Sequence, residues 1–159
     1  MVYHAELLKS ALDVVIYNQA PNQADLRRCV STAYYALFHL LVSETVANWS
    51  LDSSRDALAR MFDHSPMKKA SEKISNSKLF PFAGVDPVVV EKLRTVGASF
   101  GQLQEKRHIA DYDNATHWTA TEAFEQVIAA ANAFRDWAAI RHEKIAQDYL
   151  VSLLIRKRD

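Results

Sequence analysis

The densest polar and aromatic segment of the chain is Glu105-Lys106-Arg107-His108-Ile109-Ala110-Asp111-Tyr112. An arginine fork binds phosphate through paired hydrogen bonds, a tyrosine ring stacks on a base or donates its hydroxyl to an oxygen, and a carboxylate orients either one. Arg107, Asp111 and Tyr112, with His108 beside them, therefore carry the chemistry of a nucleotide or RNA contact. A structural account fits the same residues. Lys106, Arg107 and His108 suit the negative end of a helix, and Asp111 follows Arg107 by four, where the two would pair on one face. The residues alone leave both accounts open.

The other histidines are His4, His39, His64, His117 and His142. No two stand four apart with a nearby Glu, and no Cys and His set has zinc spacing, so neither a metal nor a cofactor is expected. Gly-rich phosphate loops and the GxSxG elbow are absent too. His39, beside Phe38, reads as a core residue, and His64, before Ser65-Pro66, as either a turn residue or a ligand. The single cysteine, Cys29, lies next to Val30 and reads as a small buried hydrophobe.

The elements that must position these groups are helices. With only three Gly and four Pro in 159 residues, the chain lacks the punctuation of a β protein, and 49% hydrophobic with 24% charged residues is a globular composition. The expected fold is all-α, an up-and-down bundle of about five helices in a single domain over residues 1–159, ending in a long helix. Leu7, Leu8, Ala11, Val14 and Val15 mark an amphipathic first helix over Tyr3 to Tyr17, and a central helix runs from about Ala24 to Trp49. A short helix over Ser53 to Phe62 has Ser53 or Ser54 as its cap. Ser65-Pro66 then opens another, reaching about Ser75. Asp86-Pro87 starts the helix that carries Arg107 near its end. Thr119 with Glu122 has the form of a capping box, and a stripe from Phe124 to Tyr149 without Gly or Pro predicts one helix of more than about thirty residues.

Arg135 and His142 share a face of that helix but lie far from the loop junction at Tyr112, so their pairing reads as incidental. Residues 150–159 form an apolar and then basic extension. The apolar run Tyr149 to Ile155, closed by Arg156-Lys157-Arg158, reads as an intermolecular contact, the alternatives being packing on the first helix or a membrane-surface anchor. Nineteen Lys plus Arg balance nineteen Asp plus Glu, so any nucleic-acid contact must come from a local cluster. No secretory leader or membrane-spanning run is visible, which predicts a cytoplasmic protein without a membrane partner.

The second helix carries Arg27-Arg28-Cys29-Val30-Ser31-Thr32-Ala33-Tyr34-Tyr35-Ala36-Leu37-Phe38-His39. This segment resembles the Arg, Tyr-Tyr-Ala, Phe-His pattern of prokaryotic HEPN proteins. The His64 region, Arg107-His108-Ile109-Ala110-Asp111-Tyr112 and a long helix with Ala130, Ala131 and Phe134 follow in the family's order, and the resemblance spans about Leu7 to Trp137. It implies an HEPN-like helical domain that binds RNA or a nucleotide, acts as a homodimer, and in many members cleaves RNA without metal. Other members are toxins paired with a nucleotidyltransferase-like antitoxin, or noncatalytic binding or interaction modules. The family's ribonuclease motif places a polar residue after its arginine and a histidine several residues on. Arg107 and His108 match the first two positions, and Tyr112 stands where the shortest form has histidine. The implied catalytic pair is Arg107 and Tyr112, with His108, Asp111, His39 and His64 as candidate binding residues. Proton transfer in RNA cleavage suits a group titrating near neutral pH, whereas an ordinary tyrosine titrates near about 10.

Overall fold

The computed structural model describes residues 2–76, 80 and 82–155. Among these, seven helices and no strands are found: α1 Tyr3–Tyr17, α2 Gln23–Ala47, α3 Asp52–Ala59, α4 His64–Asn76, α5 Pro87–Tyr112, α6 Ala120–Ile140 and α7 Lys144–Ser152. No helix among the described residues is long and apolar enough to cross a membrane. The chain divides into two compact units, Met1–Leu40 with Gln102–Phe134, and Leu41–Gly101 with Arg135–Asp159. Helices α2, α5 and α6 supply residues to both.

In the first unit Leu26 and Val30 of α2, Ala110 of α5, Trp118 of the connector before α6 and Ala123 of α6 form a buried cluster, with Ile109 and Ala120 packed against it. Two helix starts follow the sequence signals. Asp86 Oδ1 accepts the Val88 N–H at 2.9 Å ahead of α5. Thr119 and Glu122 close a reciprocal capping box, with Glu122 N–H on Thr119 Oγ1 at 3.1 Å and Thr119 N–H on Glu122 Oε2 at 3.0 Å. Cys29 is buried with its thiol 3.6 Å from the Ala11 carbonyl, and burial pushes it up to about 11, which leaves it an inert packing group.

Two starts differ from expectation. Helix α3 begins at Asp52 after Leu51 without a side-chain cap, so neither Ser53 nor Ser54 serves as one. Helix α4 begins at His64, its first turn closed by Met67 N–H on the Asp63 carbonyl at 3.3 Å. Pro66 thus sits inside the first turn, where its missing N–H costs nothing.

In the second unit α4 approaches α5 at Gly97, where a Cβ would stand 2.7 Å from the Ser71 carbonyl oxygen and 2.6 Å from Ile74 Cγ1. Only glycine admits that approach. Ser71 Oγ donates to the Met67 carbonyl at 2.7 Å and is 2.7 Å from the Tyr149 hydroxyl of α7, while Trp137 meets the same ring edge-on at 6.3 Å.

The long final helix of the sequence reading is two helices. Helix α6 stops at Ile140, and Glu143, extended at φ −70° and ψ 139°, precedes α7. Neither Gly nor Pro causes the break. Arg141 is held by a bidentate pair to Glu44 at 2.7 and 3.0 Å, Gln147 donates to the Arg141 carbonyl at 2.6 Å, and Asn48 donates to Gln147 at 2.7 Å. The turn lets α7 pack on α4. Tyr149, Leu150 and Leu153 of the apolar C-terminal run are buried, which accounts for half of its apolar residues, while Val151 and Ile155 remain exposed. The basic part of that run, 156–159, lies outside the described residues. The break also separates Arg135 on α6 from His142 in the turn, and Arg135 points to Asp136 at 3.4 Å.

Candidate functional site

One stripe of α2 organises the site. Gln23, Arg27, Ser31, Tyr35 and His39 recur at a spacing of four, which stacks them along one face of a helix. The first four meet the end of α5 and the connector after it, in order. Gln23 brackets Trp118, accepting its N–H at 2.9 Å and donating to its carbonyl at 2.7 Å. Arg27 donates to the carbonyls of Ala110 and Asp113 at 2.9 Å each and to that of Thr116. Ser31 donates to Asp111 Oδ2 at 3.4 Å. The Tyr35 ring centroid lies 5.8 Å from the Arg107 guanidinium carbon.

The connector also stabilises itself. Asp113 accepts the Ala115 N–H at 2.9 Å and the Thr116 hydroxyl at 2.8 Å, and these bonds, the hydroxyl first, hold its carboxyl below the usual range. The backbone N–H of Thr119 does the same for Glu122. Arg27 supplies a donor to Ala110, one of α5's last carbonyls, which have no intrahelical partner, and to two carbonyls of the connector.

Arg107 is turned inward and is only 9% exposed. Its guanidinium carbon lies 5.2 Å from the Tyr34 centroid as well as beside Tyr35, an arrangement that favours the cation through the ring faces. Its one ion pair among the described residues is with Asp111, Nη1 to Oδ2 at 3.5 Å, longer than a good charged hydrogen bond. Nε is buried without a hydrogen-bond partner among the described residues. The structural pairing of Arg107 with Asp111 is thus present, and it leaves the guanidinium under-coordinated.

His108 and Tyr112 form a second pair, rings 5.0 Å apart and tilted by 54°, on the exposed side of the helix. Tyr112 is 66% exposed. The two pairs, 107 with 111 and 108 with 112, occupy adjacent stripes about 100° apart on α5. Arg107 and Tyr112 themselves stand about 140° apart around the axis. They do not share a face.

The remaining histidines take other places. His39 is half-buried, edge-on to Tyr3 at 4.9 Å and 6.5 Å from Tyr35. His117 is exposed, its Nε2 at 3.5 Å from the Gln23 amide nitrogen. His64 opens α4 and belongs to the second unit. No group of three or more His, Cys, Asp or Glu that could hold a metal occurs among the described residues.

Gln23, Arg27, Ser31 and the Tyr34–Tyr35 rings are the site residues that reasoning from the 105–112 segment alone passed over. For all but Tyr34, the signal was in the sequence as polar and aromatic residues every four positions on an otherwise buried helix. No family model, curated protein or solved structure matches the chain.

Proposed function

We propose that the protein is an HEPN-type domain that binds RNA or a nucleotide at the end of α5. Arg107 is its phosphate contact, and the His108–Tyr112 ring pair is its base-stacking surface. The observation that carries this reading is the under-coordinated guanidinium: a buried arginine that, among the described residues, has no partner for its Nε and a single ion pair, 3.5 Å long. A buried charge left in that state is costly, and a phosphate oxygen is an acceptor of the kind the guanidinium lacks. Exposed paired rings one stripe away suit a base, because stacking on an aromatic face accepts any sequence.

Binding is the central activity in this reading and cleavage a weak or lost one. The position that would carry the proton-transferring histidine is Tyr112, and His108 is the neighbouring imidazole available for such a step.

Fluorescence anisotropy with a labelled single-stranded RNA and a labelled nucleotide, at physiological salt, tests the proposal. Wild-type protein binds at least one of them, and Arg107→Ala weakens that binding by at least about tenfold, the loss of one charge-assisted pair. Wild type that binds neither ligand overturns it.

A helical interaction module is the second reading, favoured by exposed Tyr3, Ile16 and Tyr17 on α1, a helix with Ala11 as its one fully buried residue. A second copy of the chain is the simplest cover for that surface. Light scattering reading one chain's mass would remove the homodimer.

A further inference from the structure

In the second unit, remote in sequence from the α5 end, a cleft of about 620 Å³ opens beside α4 and the end of α7. Pro66, Lys69, Ala70 and Lys73 line it from α4, at the three-and-four spacing of one helix face. Phe80 and Ile155 add to its apolar surface. The volume is that of a small-molecule site.

The charges are arranged unevenly. Lys68, on the neighbouring face, is paired with Glu72 at 3.5 Å, whereas Lys69 and Lys73 have no ion-pair partner among the described residues. Asp63 is the acidic residue among the described lining residues, and it precedes the first turn of α4. At the helical rise, Lys69 stands about 9 Å and Lys73 about 15 Å along the axis from it. The lysines are therefore offset along α4 from Asp63. Two ammonium groups and one carboxylate leave the described lining with one net positive charge, which matches a monoanion.

We infer that this cleft binds a small amphipathic carboxylate, an acyl chain of medium length. Its head pairs with Lys69 and Lys73, and its chain lies on Pro66, Ala70, Phe80 and Ile155. The polar and apolar parts of the lining are both needed: lysines alone on a convex face would hold a solvated ion weakly, and an apolar cleft alone would not discriminate charge.

Isothermal titration calorimetry of the full chain with decanoate tests the inference, with 1-decanol as the uncharged probe of equal length. Saturable one-to-one binding of decanoate is expected, at least about tenfold tighter than decanol. Lys69→Gln with Lys73→Gln, both exposed, should bring decanoate down to the decanol level, and Ala70→Trp should abolish binding of both by filling the cleft. Circular dichroism establishes that each variant keeps its helices. No saturable decanoate binding, equal binding of decanol, or an unchanged affinity in the double-lysine variant overturns the proposal.

Discussion

Two arginines of the first unit, Arg27 and Arg107, meet the same stretch of chain and are satisfied in opposite ways. Arg27 gives its donors to three backbone carbonyls that the end of α5 and the following turn leave open. Arg107, though more deeply buried, holds among the described residues two ring faces and a 3.5 Å carboxylate. A guanidinium whose donors are used by fixed backbone has finished its work at folding. One with a buried Nε that no described residue accepts from keeps a donor unused, and that difference separates Arg107 from Arg27.

The largest effect that would sharpen this contrast is on stability. Arg27→Ala should lower the free energy of unfolding by ~3 kcal/mol, since charge-assisted hydrogen bonds are each worth about 1.5–3 kcal/mol and their carbonyls lose a partner. Arg107→Met should change it by no more than about 1 kcal/mol, because an apolar side chain of similar length replaces a poorly compensated buried charge. Urea denaturation of the two variants reads both. If Arg107→Met proves the more damaging, Arg107 is the structural residue and the contrast is reversed.

Asp111 supplies a smaller and more specific effect, because it competes for the guanidinium that a phosphate would take. Asp111→Asn should tighten anion binding by about threefold to tenfold, the scale of losing one partly exposed competing charge. Weaker binding of the labelled nucleotide in this variant would instead make Asp111 a ligand contact.

The smallest effect is the acid limb of stability. The carboxyls of Asp113 and Glu122 are held below their usual range by the connector's own hydrogen bonds. A carboxyl with a lowered folded value stabilises the fold above the ordinary range and loses that contribution as pH falls below about 4. Glu122→Gln should therefore flatten the fall of melting temperature on acidification, and an unchanged acid limb would remove the capping box from the account of what holds the Arg27 side.

Some of this was legible locally. The Asp86-Pro87 start and the Thr119–Glu122 box are contacts within three residues, so the sequence contains both partners and their spacing. The apolar stripes are equally local, because a helix's buried face is set by its own period. The Arg107–Asp111 pair follows from a spacing of four.

What lay beyond the sequence depended on partners far along the chain. The break at 141–143 has no Gly or Pro to announce it, and it is fixed by Glu44 and Asn48, nearly a hundred residues away. That break brought Tyr149, at the start of the apolar terminus, to Ser71 of α4. The orientation of the α5 end was decided in the same way. Residues 105–112 determined by themselves that an arginine, a carboxylate and two rings would occupy adjacent stripes of one helix. Only the tertiary contacts with Tyr34, Tyr35 and Ser31 decided which stripe turned inward, because burial is a property of the neighbours a face meets and not of the face alone.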